Sequence, residues 1–237
     1  MANISDYLDW RGDIPFEIDP FGVVDNLILA ELAYTDFEGI VPSVDEDDSV
    51  LVSEASDLFW KLHTTEEIMA KGSSTKVAPF LLLKLKNSKR FQNLRLMKYI
   101  NIVDSANQSQ FSALIFQVQP DFYYVAYRGT DNTLVGWKED FNMGYLYQTN
   151  GQKQAVDYLN EYVLPLKGKI VLGGHSKGGN FAVYGAAFCK KEISDRMECV
   201  YSNDGPGFRE KVLLTEEYQR IKERIVSIVP EDTIVGM

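Results

Sequence analysis

The stretch Lys169-Ile170-Val171-Leu172-Gly173-Gly174-His175-Ser176-Lys177-Gly178-Gly179-Asn180-Phe181-Ala182-Val183-Tyr184 constrains the fold more than any other part of the chain. It opens with a short β-branched apolar run and turns through glycines around a single serine. It then continues with Phe181, Val183, Tyr184 and Ala187 as apolar positions at helical spacing. Gly174-x-Ser176-x-Gly178 is the nucleophile-elbow pattern, a strand and a helix joined by a sharp turn with a strained serine at its tip. The flanking glycines are needed because a Cβ at either position would strike the neighbouring strand or helix. Ser176 is the candidate nucleophile. The plainer reading is a glycine-rich β–α turn in which the serine is incidental.

On either side of this unit the periodicity divides the chain in two. Residues 1–20 read as irregular, with Pro15 and Pro20. Three helices are expected after them, at Asp25–Tyr34, Ser53–Lys71 and Val77–Leu85, the second carrying His63. From Leu94 the period changes to that of strands, at Met97–Val103, Phe111–Val118 and Tyr123–Tyr127, an antiparallel meander. Strands then alternate with helices, at Gln152–Leu164, the serine unit, Glu198–Ser202, Glu216–Lys222 and Ile225–Val229. This alternation argues for a parallel sheet with helices on both faces. The expected organisation is a helical N-terminal extension or cap over residues 1–93 and an α/β core over residues 94–237.

Composition narrows the partners. A net charge of −10 and a pI near 4.8 disfavour binding to nucleic-acid phosphate or an anionic membrane surface. No apolar run approaches the ~20 residues of a membrane span, and the N-terminus has no secretory pattern, so a cytoplasmic location is expected. The two cysteines, Cys189 and Cys199, lack metal-site spacing. No metal or cofactor is implied.

Three motifs carry a family resemblance. Tyr127-Arg128-Gly129-Thr130, Trp137-Lys138-Glu139-Asp140 and Gly174-His175-Ser176-Lys177-Gly178-Gly179 occur in the order seen in the class 3 lipases, a branch of the α/β-hydrolases. The variant ending in Asn180, with the opening Ser5-Asp6-Tyr7-Leu8-Asp9-Trp10-Arg11-Gly12-Asp13, more closely resembles a lipase-like bacterial family known as a domain of unknown function. The lipase resemblance spans roughly residues 95–237 and the closer one nearly the whole chain. It implies an α/β-hydrolase with a mostly parallel sheet, and a serine hydrolase acting on carboxylic esters or thioesters through an acyl-enzyme on Ser176.

Elbow geometry makes the Lys177 N–H one oxyanion donor, and the resemblance makes Thr130 the second. Two residues compete for the acid that would orient a histidine: Asp232, after the last strand, and Asp204 in Asn203-Asp204-Gly205-Pro206-Gly207. In this fold the histidine follows the acid, and the chain has only His63 and His175, both before it. The catalytic histidine is therefore expected beyond Met237. The competing expectation is a catalytically silent α/β-hydrolase that binds an acyl ligand or a protein partner. The substrate expected for the enzyme is a small acyl ester or a lipid.

Overall fold

The computed structural model describes residues 3–70, 76–106, 109–130, 136, 143, 145–146, 148–231 and 233. In chain order its elements are α1 (Ile4–Arg11), α2 (Val23–Leu32), β1 (Val50–Leu51), α3 (Val52–Leu62), α4 (Thr65–Ala70), α5 (Ala78–Leu85), β2 (Arg95–Asp104), β3 (Ser109–Gln119) and β4 (Phe122–Tyr127). There follow α6 (Asn150–Tyr158), which runs on into a π turn (Leu159–Val163), β5 (Lys169–His175), α7 (Lys177–Phe188), α8 (Lys191–Ser194), β6 (Met197–Asn203), α9 (Glu210–Leu213), α10 (Glu216–Ile221) and β7 (Ile225–Ile228).

The strands form one mixed sheet in the order β1-β2-β3-β4-β5-β6-β7. Neighbours are antiparallel from β1 to β4 and parallel from β4 to β7. The meander and the parallel part read from the sequence therefore meet at β4. Alternation along the strands sorts the core into two layers. Leu114, Phe116, Tyr124, Ala126, Val171 and Tyr201 face a layer built from the N-terminal helices, with Ile28, Leu29, Leu32, Phe59, Leu82 and Phe91. Ala113, Ile115, Val125, Tyr127, Ile170 and Leu172 face the other layer, where Tyr158, Leu159, Phe181, Ala182 and Ala186 close the core. The α7 helix is buried on nearly every side, as an all-round small and apolar helix should be. This is the α/β-hydrolase architecture, with helices on both faces of the sheet.

Two local expectations change. Residues 4–11 are helical, not irregular, because Asn3 caps the Ser5 and Asp6 N–H groups while Asp6 accepts the Asn3 N–H. The helix expected over residues 53–71 breaks at His63, which is extended (φ −128°, ψ 144°). Thr64 and Glu67 form a reciprocal cap that starts α4.

The first layer is fastened by one buried ion pair. The Arg90 guanidinium, with no solvent exposure, donates from Nε and Nη2 to the two Asp25 carboxylate oxygens at 2.7 Å each. It also donates to the carbonyls of Ile14, Asp19 and Pro20. The segment between α1 and α2 is thereby fixed to α2, whose far end reaches the serine turn.

Candidate active site

Parallel register sets the site's position. Tyr127 pairs with Gly174 and His175 with Asn203, so the chain leaving β4 and the turn leaving β5 emerge side by side at the carboxyl edge of the sheet. Ligand sites in open α/β sheets lie at that edge.

Ser176 sits between β5 and α7 with φ +55° and ψ −128°. For a side chain with a Cβ this conformation costs of order 1–3 kcal/mol and persists only where its surroundings enforce it. They do so here. The Ser176 N–H donates to the Asn203 carbonyl at 2.8 Å, and the Gly179 N–H donates to the Ser176 carbonyl at 2.9 Å. A Cβ on Gly174 would lie 2.5 Å from both the Gly178 and Tyr127 carbonyl oxygens, and one on Gly178 would overlap the Tyr127 carbonyl. The glycine requirement read from the pattern is thus a matter of contact with the end of β4.

Beneath the turn lies a buried amide network. Asn26 of α2 donates to Asn203 Oδ1 at 2.8 Å and accepts from the Tyr124 hydroxyl at 2.9 Å and from Asn203 Nδ2 at 3.3 Å. On the other side Gln152 of α6 donates to Asn180 Oδ1 at 2.8 Å, and Asn180 donates to the Pro206 carbonyl at 2.9 Å. Asn180, the residue that sets this elbow apart from the usual lipase sequence, ties α7 to the loop after β6.

Arg128, Gly129 and Thr130 line the turn from the β4 side. Arg128 is buried, its N–H on the Ser112 carbonyl at 3.0 Å and its guanidinium on Asn101 Oδ1 at 2.9 Å. Gly129 packs directly on the serine: a Cβ there would stand 3.3 Å from Ser176 Cβ and 2.5 Å from the His175 carbonyl, and would overlap the Tyr34 hydroxyl. The Thr130 methyl and the Gln110 amide oxygen both border Gly136, 2.8 and 2.5 Å from where its Cβ would be. Lys177 Nζ donates to that same amide oxygen at 3.2 Å. Thr130, Ser176 and Lys177 are therefore gathered at one end of the sheet. The Lys177 side chain, however, is 1% exposed and runs inward along Phe181 (Nζ 5.7 Å from the ring), away from the open face.

Asp204 ends β6 with φ +51°; its N–H donates to the Ile228 carbonyl at 2.7 Å, and its carboxylate accepts the Thr233 hydroxyl. Asp232, the other candidate acid, lies outside the described residues, as do Trp137 and Asp140.

His63 closes α3 with its ring against Phe59, centroids 4.5 Å apart. His175 Nδ1 lies 2.9 Å from the Tyr34 hydroxyl. Desolvation pushes the His175 pKa below its usual 6.5, and the Asp204 carboxylate pulls weakly the other way. Among the described residues no hydrogen bond ends on the Ser176 hydroxyl. Tyr34 is the site residue that sequence reasoning missed. It follows α2 and is 141 positions from His175, so no local pattern announces it.

A family model, Mbeg1-like, matches residues 85–237, more than half of the chain. The chain belongs to the Mbeg1-like family. The Mbeg1-like region contains Thr130, Ser176, Lys177 and Asp204, while Tyr34, Asn26 and Asp25 precede it. The fold of this Mbeg1-like chain is that of a class 3 lipase-like α/β-hydrolase. Solved structures similar to it include M37 lipase (19% identity, 73% of this chain and 70% of that one, TM-score 0.46). A Rhizomucor miehei lipase–propeptide complex matches at 15% identity, covering 61% of this chain and 51% of that one, TM-score 0.43. A fungal lipase–inhibitor complex matches at 15%, covering 61% and 60%, TM-score 0.42. No curated protein sequence is matched. Among the described residues no helix is long and apolar enough to cross a membrane, and no group of acidic, histidine and cysteine side chains could hold a metal ion.

Proposed function

We propose that the chain is a serine hydrolase of carboxylic esters or thioesters, with Ser176 as nucleophile at a nucleophile elbow. The observation that carries this reading is the Ser176 backbone, strained at φ +55° between a central parallel strand and a buried helix. Such strain, held by two glycine contacts and two backbone hydrogen bonds, marks a site where geometry serves a purpose beyond stability.

In the proposed reaction Ser176 Oγ attacks the acyl carbon as a general base takes its proton, and the carbonyl electron pair moves onto oxygen. The N–H groups of Lys177, at the first turn of α7, and Thr130 donate to that oxyanion, aided by the positive end of the helix. The acid is Asp232 or Asp204, as read from the sequence. The tetrahedral species collapses and expels the alcohol or thiol, which takes the proton back from the base; water then attacks the acyl-enzyme and releases the carboxylic acid. The substrate is an acyl ester or lipid, and no cofactor takes part.

One observation favours a second reading. The Ser176 hydroxyl has no hydrogen-bonded base among the described residues, which is what a catalytically silent member that binds an acyl ligand or a protein would show. Fluorophosphonate labelling with intact-mass detection separates the two, with Ser176→Ala as control. A Ser176-dependent adduct supports the hydrolase, and a folded protein that forms none supports the binding protein.

A further inference from the structure

We infer that the open edge of β2 is a docking site for an extended, lysine- or arginine-bearing segment of another protein, which adds to the sheet beside Ile100–Asp104.

The edge is open because its neighbour stops early. β2 runs for 10 residues, Arg95–Asp104, but β1 pairs only with Arg95 and Leu96, and a single bridge from Ser43 reaches Tyr99. Beyond that bridge, among the described residues, no strand lies on the outer side of Ile100–Asp104, while the inner side is paired with β3 throughout. In an antiparallel pair every second residue turns both its N–H and its C=O away from the partner. This stretch therefore presents a half-made ladder, the template that strand addition uses. Proteins commonly guard such edges with lysine or proline. Ile100, Asn101, Ile102 and Val103 include neither, and Val103 is 48% exposed. The lysine just before them is engaged elsewhere. Lys98 sits at a bulge with φ +55° and gives its ammonium to the carbonyls of Val44 (3.2 Å) and Glu46 (2.8 Å) and to the Asp47 carboxylate (2.7 Å).

What lies beside the edge defines the partner. Ile100 and Ile102 face the α6 side of the sheet, where with Phe111 they line a groove of about 110 Å³. Tyr158 and Tyr162 form its other wall, with the exposed carboxylates of Asp157 and Glu161 at its rim. Neither carboxylate is in an ion pair among the described residues, and the exposed Asp45 acts on Tyr162 as well. Glu161 and Tyr162 are carried by the π turn Leu159–Val163, a rare geometry that is frequent at functional sites. An apolar floor with carboxylates at its rim fits a lysine or arginine side chain, which has an apolar stem and a cationic head. Side chains alternate along a strand, so cations at every second position of the added segment fall on the α6 side.

The same charges disfavour a second copy of this chain. Two β2 edges paired antiparallel about a two-fold axis would bring the α6 flanks together. Asp157 and Glu161 would then face their own counterparts, in a chain of net charge −10.

The test titrates the full natural chain into a fluorophore-labelled seven-residue peptide of alternating lysine and valine, followed by anisotropy. Hydrogen–deuterium exchange reads the protein's own amides. Two control peptides are the same sequence with every backbone nitrogen methylated and one with glutamate in place of lysine. The protein variant is Asp157→Asn with Glu161→Gln, two exposed changes that keep shape and remove charge. The lysine peptide is expected to bind saturably and to slow exchange within Ile100–Asp104, and neither control peptide should bind. The double variant should bind about 10-fold more weakly, as loss of two exposed charge pairs implies. Absence of saturable binding to the wild type overturns the inference. Equal binding of the methylated peptide also overturns it, because the contact is then not strand addition, and equal binding by the double variant denies the part given to the carboxylates. A wild type that sediments as a dimer, with Ile100–Asp104 already protected without peptide, makes the occupant a second copy and overturns it too.

Discussion

Replacing Asp25 by asparagine tests whether the N-terminal layer is fastened electrostatically. The substitution preserves shape and one acceptor oxygen, so the Gly22 N–H, now 2.8 Å from Oδ2, can still be capped. What it removes is the charge in direct, two-point contact with a guanidinium that has no solvent exposure. Arg90 has a second carboxylate at 3.7 Å, that of Asp19, but that group is one-third exposed and is already engaged by Arg11 at 2.7 Å. Removing one partner of a buried pair costs about 3–5 kcal/mol, and the retained amide oxygen places the expected loss at the lower end, about 3 kcal/mol. For a domain of this size that corresponds to roughly 6–12 °C in Tm. Replacing both partners with apolar residues often restores stability at such sites. Here Asp25→Leu with Arg90→Met should not, because Arg90 also satisfies the carbonyls of Ile14, Asp19 and Pro20. Each carbonyl left unpaired costs about 1 kcal/mol or more. Urea unfolding followed by tryptophan fluorescence measures both variants. A loss below about 1 kcal/mol for Asp25→Asn, or recovery in the double variant, would refute the reasoning.

Three further outcomes are expected. Gly178→Ala forces a Cβ into the Tyr127 carbonyl, a backbone contact that cannot yield, so the variant should lose about 3 kcal/mol or more in urea unfolding and lose serine labelling with it; wild-type stability would contradict the packing at the turn. Asn26→Ala strands the Asn203 amide in the core and leaves the Tyr124 hydroxyl the longer, 3.3 Å contact to the residue 26 carbonyl, for an expected loss of about 2–3 kcal/mol by the same assay. Because folding lowers the His175 pKa, the unfolded chain binds a proton at a higher pH than the folded one does. This group's contribution to stability is therefore full above the usual histidine value and falls away as pH drops through and below it. His175→Asn should flatten that part of the stability–pH curve, and an unchanged curve would deny the shift.

How much of this was legible in the sequence follows from the range of each interaction. The glycines around Ser176 could be read because their exclusion of a Cβ is dictated by a four-residue turn and the strand end beside it. The strands could be read because Tyr124 and Ala126 alternate with Tyr123, Val125 and Tyr127 between two apolar layers. The cap at Thr64 and Glu67 was also present in the sequence, but a continuous apolar face across His63 masked it. The direction of the Lys177 side chain could not be read, because sequence shows adjacency to Ser176 and not direction; the structure turns it inward to Gln110.

Asn26 with Asn203, and Tyr34 with His175, join positions 177 and 141 residues apart, and no short pattern encodes such pairings. Both lie on or just after α2, which looks like an ordinary apolar helix in the sequence. Its packing on β5 carries an amide beneath the serine turn and a phenol beside it. The helix that supplies the first core layer thus also supplies the polar groups of the site, and Asp25 with Arg90 holds the start of that same helix. A loosened clamp should therefore be felt at Ser176 as well as in the unfolding midpoint. Asp25→Asn is expected to lower the labelling rate under conditions where the protein remains fully folded, while an exposed change of the same charge, Asp57→Asn in α3, leaves that rate unchanged. Equal labelling of the two variants would mean that α2 contributes stability alone.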